Sequence, residues 1–528
     1  MVRLGWPDRL TGKPEACSTG WESNLTLLKL PLRTIIQGCC LLACGWLLAG
    51  CREAALDNAD RQTPLFQGQT IRLAVPGGWG FKELWDIQLE EWAARTGARA
   101  ELIEIDMTDG SGALLKSDSN LQLIIFPWTR RGELLAGKHL QSLPEESLGE
   151  SQLNWDDLFR GLREKQANLD LGPALVPIGS PVLVCYYRAD LLEQAGLKPP
   201  ETWDDYQVLL DQLPTWAPGL TAAEPWSPEF RATLFMARAL PHVKHAGHYS
   251  VYFDVDNGDP FIGTPGFVKA LEVTQAAVKK LPVEVFQYDP VTCRNLVITG
   301  QAALAIGLET GPSGGPLNLA ASVPARGKSV EKRKRADSIS IGFCRLPGAG
   351  QVYNTTVNEW VSAEHDDQNE TSNHVTLTGF AGLCAGVPRG TKPEQASAAL
   401  NLLASLLLDA GTRFPTGAKS LCRESQAQDA ATWVGTDLSA AEAGKYIAVV
   451  AKSLRGRQQV GELPVLGHAE FRASLTKGLT ACLEQGQSPA EALRAVSTEW
   501  KEILKKLGQA EVLASYRSAL GLSKREEL

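Results

Sequence analysis

The chain has 528 residues, with 52 basic and 60 acidic side chains, a formal net charge of −8, and 44% hydrophobic against 21% charged residues. That length exceeds what one hydrophobic core serves, so two lobes are expected, and the ordinary globular composition excludes disorder, collagen and coiled coil. The acidic balance leaves no electrostatic footprint for nucleic acid as a principal partner.

At the N-terminus, Lys29 and Arg33 precede an apolar run from Thr34 to Gly50, the charged-then-apolar order of an export signal. The run ends in Leu48-Ala49-Gly50-Cys51, which resembles the bacterial lipobox, where the Cys thiol takes a diacylglycerol thioether and the chain is cut just before it. Gln37 interrupts the run, which is also short of the roughly 20 apolar residues a membrane span needs, so a cleaved signal is expected. Residues 1–50 thus read as a signal peptide with lipobox and 51–68 as a lipid-anchored tether. The protein is expected in the cell envelope, periplasmic or on the outer face of the cytoplasmic membrane, held there through lipidated Cys51.

The body opens with a short apolar strand, Thr70 to Pro76, a Gly77-Gly78 turn, and then Phe81, Leu84, Trp85, Leu89 and Trp92 at helical spacing, an α/β opening. Ala100 to Ile105 and Leu121 to Phe126 are further strands. Thr202, Thr264-Pro265 and Ser488-Pro489 open capped helices. In the last of these, Leu493, Val496, Trp500, Leu504 and Leu507 line one face and Gly508 ends it.

Several motifs are weighed and set aside. Gly132 to Lys138 fits the spacing of a phosphate-binding loop, but His139 replaces the Ser/Thr that holds magnesium and the segment reads as helix. Gly311-Pro312-Ser313-Gly314-Gly315 matches a nucleophile elbow without the helix that must follow it, so it reads as a loop. His242, His245 and His248 are spaced so that the third turns away from the first two, and a polar loop is expected rather than a metal site. The basic run Lys332 to Arg335 reads as a solvated loop. Asp204-Asp205 and Asp366-Asp367 are adjacent carboxylates, suited to caps and surfaces rather than acid/base pairs. The six body cysteines include no Cys-x-x-Cys; they read as buried thiols or as up to three disulfides of open connectivity. No catalytic residue, metal or cofactor is expected.

The 14 Trp stand out. Trp79 and Trp128 follow strand-like runs, Trp226 sits in Glu224-Pro225-Trp226, and Trp360 lies in the run Asn354 to Trp360. Loops after α/β strands are where such folds hold ligands, and flat aromatic faces suit the C–H faces of a pyranose ring.

Val176-Pro177 and the segment Val182 to Leu210, with Tyr186-Tyr187, Ala195-Gly196 and Pro200-Glu201-Thr202-Trp203, resemble the family 1 extracellular solute-binding proteins of ABC importers. Thr264-Pro265-Gly266-Phe267, Gly300 to Ala303, Leu346-Pro347-Gly348, Phe380 to Val387, Glu462 to Phe471 and Ser488 to Trp500 are similar to further pieces of that family, in the same order. The resemblance implies an α/β periplasmic-binding-protein type II fold, two lobes joined by a hinge. It places lobe 1 at 69–178 and 380–435, and lobe 2 at 181–379 and in the C-terminal helices 436–528. By position it implies ligand contacts from Trp79, Trp128, Trp226, Glu224 and Glu309, and the reading of the Trp residues adds Trp360. It also implies a carbohydrate ligand, an ABC permease as partner and a monomeric, non-enzymatic binder. The alternatives are a lipid-anchored hydrolase using Ser313 and a sensory solute-binding lipoprotein on the same fold.

Overall fold

Buried Ile71, Leu73, Ala74 and Val75 hold Thr70–Pro76 (β1) in the sheet, and Gly78, at φ 74°, lets the chain turn out of it. The computed structural model describes residues 65–107, 120–149, 152–165, 167–169, 172–309, 339–363, 372–408 and 420–522, all within the unit Pro64–Leu528. Expectations that rest on the export signal, Cys51, Ser313, Lys332 to Arg335 and Asp366-Asp367 lie outside the described residues.

After β1, helix α1 (Phe81–Thr96) buries Phe81, Trp85, Leu89 and Trp92, and Gly97 at φ 72° closes it. Strands β2 (Arg99–Ile105) and β3 (Leu123–Pro127) run parallel to β1 on either side of it, with Thr70 opposite Arg99 and Leu73 opposite Leu123. Two short helices follow, α2 (Arg131–Ala136) and α3 (Arg160–Lys165). Next come the small pair β4 (Asn168–Leu169) and β5 (Gly172–Pro173), and then β6 (Val176–Pro177).

The chain then leaves the first sheet and enters a second. Strand β7 (Val184–Arg188) is followed by α4 (Ala189–Ala195), α5 (Trp203–Asp211) and α6 (Leu213–Trp216). Strand β8 (Thr221–Ala223) precedes α7 (Arg231–Val243), α8 (Pro265–Val278) and α9 (Pro290–Ile298), and then come β9 (Ala302–Gly307) and β10 (Ile341–Arg345). The order in this sheet is β10-β7-β9-β8, with β8 and β9 parallel and β7 antiparallel to both of its neighbours. A hairpin, β11 (Gln351–Asn354) and β12 (Glu359–Ser362), and the strand β13 (Thr376–Thr378) follow.

Strand β14 (Leu383–Gly386) returns to the first sheet between β3 and β6, completing the order β2-β1-β3-β14-β6. Helix α10 (Pro393–Leu408) packs on α1, and the chain ends in α11 (Ala440–Arg455), β15 (Gln459–Gly461), α12 (His468–Leu483), α13 (Pro489–Leu507) and α14 (Gln509–Ala519).

The two sheets define two α/β lobes with two cores. Successive residues of β7 show how they divide. Val184 and Tyr186 join the core that holds the first sheet, α1, α10 and α11, whereas Leu183 and Cys185 join the core of α5, α7, α8, α12 and α13. Where the two sheets exchange the chain, residues 178–183 and 379–382 run side by side. The backbones of Gly179 and Leu383 bond to one another, and Gly379 N–H donates to the Ser180 hydroxyl at 3.4 Å. A Cβ on Gly382, which sits at φ 84°, would lie 2.2 Å from the Gly179 carbonyl oxygen, so the close approach itself requires glycine. Among the described residues no helix is long and apolar enough to cross a membrane.

Candidate functional site

Because β1 and β3 are parallel neighbours, the residues just past their carboxyl ends share one edge of the first sheet. This brings Trp79 and Trp128 to the same edge, where open α/β sheets take their ligands. Trp79 is buried and stacks on Phe81 with the rings 9° from parallel and 6.4 Å apart; its indole N–H has no hydrogen-bond partner among the described residues. Trp128 donates its indole N–H to the Gly179 carbonyl at 2.9 Å, so it touches the first chain crossing directly.

Two cations that the sequence reading did not single out stand beside Trp128. Arg130 bonds the Met107 carbonyl at 2.7 Å, just beyond the end of β2, and pairs with Glu133 at 2.7 Å. The Arg131 guanidinium lies 5.8 Å from the Trp128 ring centroid. Burial pulls its pKa down to about 10, which leaves it charged at neutral pH. The only sequence signal for this pair is its adjacency to Trp128 in Trp128-Thr129-Arg130-Arg131.

In the second lobe the parallel strands β8 and β9 likewise carry Glu224 and Glu309 past one shared edge. Glu224 is fully buried: one oxygen accepts from Arg238 Nη1 and the other from Trp226 Nε1, both at 2.9 Å. Arg238 in turn lies 4.0 Å over the Trp203 ring, and burial together with the Glu224 charge holds the Tyr206 hydroxyl well above the usual tyrosine range. Trp226 is therefore wedged within the second core beside the carboxylate that follows β8.

Glu309 is more heavily engaged. One oxygen accepts from Tyr186 at 3.1 Å and Arg294 Nε at 2.7 Å; the other accepts from Arg294 Nη2 at 3.0 Å and Gly435 N–H at 2.9 Å. Arg294 also pairs with Asp437, at 2.5 Å, on the segment leading into α11. The Glu309 N–H donates to the Tyr446 hydroxyl at 3.0 Å. All four acceptor positions of Glu309 are filled, while Glu224 accepts from Trp226 and Arg238 with the Tyr206 hydroxyl beside it.

Trp360 stands apart from these two edges. It lies on β12 of the hairpin that rests against α7 and α8, remains 37% exposed, and meets Tyr353 edge-on at 5.5 Å. The histidine trio also divides. His242 is buried within α7 rather than in a loop, because that helix is enclosed on every side, whereas His248 bonds Asn354 and Thr356 of the hairpin turn. Among the described residues no group of His, Cys, Asp and Glu has the geometry of a metal site. A cavity of about 620 Å³ opens at the amino-terminal end of β3, lined by Gln122, Lys138, His139 and Arg389, and holds none of the six expected contacts.

Residues 151–413 match the sequence model of a family described as bacterial extracellular solute-binding protein. Among solved structures, the sugar-binding protein MalE of Xanthomonas citri has 17% identity and a TM-score of 0.59, over 84% of this chain and 99% of its own. An ABC-transporter solute-binding protein of Agrobacterium radiobacter K84, solved with ribitol, has 19% identity and a TM-score of 0.55, over 83% and 99%. Maltose-bound MalE3 of T. maritima has 15% identity and a TM-score of 0.53, over 83% and 100%. At these identities the likeness is one of fold, the type II periplasmic-binding arrangement of two α/β lobes. No curated protein matches the chain in sequence.

Proposed function

Since the chain belongs to the bacterial extracellular solute-binding proteins, we propose that it is the substrate-capturing subunit of an ABC importer, taking a neutral carbohydrate between its lobes and presenting it to the permease. The observation that carries this reading is the pairing of edges. Trp79 and Trp128 lie past the strands of one sheet, Glu224 and Glu309 lie past the strands of the other, and the crossing segments 178–183 and 379–382 join the two.

Trp79 and Trp128 supply flat faces, and the unpaired Trp79 N–H donates to a ligand oxygen. Glu224 accepts a hydroxyl once its loop moves, and Glu309 acts by holding its own loop in place. Trp226 stiffens the Glu224 loop, and Trp360 contributes only if the hairpin closes over the ligand. A buried hydroxyl left unpaired costs on the order of 1–3 kcal/mol, so such a site needs acceptors as well as aromatic faces. The chemistry is binding, without a catalytic step. Lobes 69–178 with 380–435 and 181–379 with 436–528 move about the crossings, and Cys51 carries the lipid that keeps the protein at the membrane.

Calorimetry of the chain against neutral mono- and oligosaccharides and polyols tests the assignment. One class should bind with micromolar affinity, about 8 kcal/mol, and Trp79→Ala and Trp128→Ala should each weaken it about tenfold. Absence of binding across the panel, or equal binding by both variants, overturns the site. Cys51→Ser should release the protein from membranes, and unchanged attachment refutes the anchor.

A further inference from the structure

Strand β10 is the edge strand of the second sheet, held on one side only by β7. In the β7–β10 register Cys344 stands directly opposite Cys185. Residues opposite one another in an antiparallel pair project to the same face, and both side chains pack on the core of α5, α7 and α8. The ladder also sets their spacing. Ala189 N–H donates to the Ser340 carbonyl at 2.9 Å, and the hydrogen-bonded positions repeat every second residue, so Cys185 and Cys344 form a hydrogen-bonded pair. Such pairs have Cα atoms about 5.5 Å apart, the commonest separation for a disulfide. The thiols also interact with each other: contact with Cys344, ahead of burial, is what raises the Cys185 pKa. The other four body cysteines are also buried.

We propose that Cys185 and Cys344 are the site of a cross-strand disulfide that pins the edge strand β10 to β7 in the exported protein. The inference rests on the exported location of the family. Cys344 is half-exposed and is the thiol that an external disulfide reaches first; Cys185 is fully enclosed. The Cys344 thiolate attacks a disulfide-bearing oxidant, forms a mixed disulfide and expels one thiolate. Cys185 then gives up its proton and attacks the Cys344 sulfur, expelling the second thiolate. The pair loses two electrons and two protons, and the oxidant leaves as two thiols.

The full chain, exported from a bacterial cell and alkylated at lysis, is digested with trypsin without reductant. Peptides 166–188 and 336–345, each holding one of the two cysteines, should be recovered joined and should separate on reduction. In Cys344→Ser the first peptide should carry an alkylated Cys185. The reduced, purified chain is also incubated with oxidised glutathione, which removes any dependence on where the cell sends it. The linkage should form there and raise Tm by about 3 °C, a shift that Cys344→Ser lacks. Separate alkylated peptides after glutathione treatment, or linkage of either cysteine to another, overturn the proposal. Linkage with glutathione but free thiols in the cell supports the proposed pairing and overturns the exported location instead.

Discussion

Arg238 and Glu224 illustrate how single residues hold the second lobe. Both are enclosed, and each is the other's counter-charge. Arg238→Met should cost about 3–5 kcal/mol in denaturant unfolding, because it leaves a buried carboxylate uncompensated; adding Glu224→Gln should recover part of that loss. His242 gives a pH-dependent counterpart. Burial, with Arg238 and Lys269 nearby, lowers its pKa from 6.5 to about 4. The unfolded chain therefore takes up a proton first as the pH falls. The contribution of His242 is complete above pH 6.5 and is lost between there and about pH 4, amounting to about 3 kcal/mol. His242→Leu should flatten that stretch of the stability–pH curve, and an unchanged slope would show that another group carries it. At this scale sequence shows residue types but not their partners. Glu224 and Glu309 are visible as acids beside Trp226 and after a strand, yet nothing local announces Arg238 and Arg294, which reach them from helices 14 residues on and 15 residues back.

Helix α11 shows what a single element contributes. Ser439 caps it, and Glu442 closes the box by accepting from Ser439 N–H at 3.0 Å, while its other oxygen accepts the buried Ile341 N–H of β10 at 2.9 Å. Ser439→Ala should cost about 1 kcal/mol, the usual value of a cap. Glu442→Ala should cost about 2–3 kcal/mol, since it also strands an N–H in the interior. Equal effects in chemical denaturation would mean that the Ile341 bond contributes nothing. Elements with a clear period or cap are legible in the sequence: β1, α1, the Thr202 box and the α13 face that ends at Gly508. Helix α7 is not, because all 13 of its residues are buried and its polar stripe, Arg231, Arg238 and His242, faces the inside of the protein rather than water. Strand β8, only three residues long, is likewise invisible until it pairs with β9.

For the molecule as a whole, the crossings 178–183 and 379–382, together with the third passage of the chain implied by the lobe boundary at 435–436, set the range of motion. Saturating ligand should lower the radius of gyration in small-angle scattering as the lobes close; an unchanged radius would mark a rigid binder. Gly382→Ala should disturb both crossings, costing about 1–3 kcal/mol and altering the compaction, because its Cβ has no room beside Gly179. The two-lobe arrangement is legible from segments such as Val176-Pro177 and Phe380 to Val387. How tightly those segments touch depends on two glycines 203 residues apart and is not legible. The Trp128 indole adds a thermodynamic link to this picture. Its N–H is bound to the carbonyl of Gly179, so one ring belongs both to the sheet edge and to the crossing. Any occupant that shifts this ring does work on the crossing, and any change at the crossing alters the affinity for that occupant by the same factor. A substitution that stiffens the crossing far from the edge should thus change the affinity for a ligand it never touches.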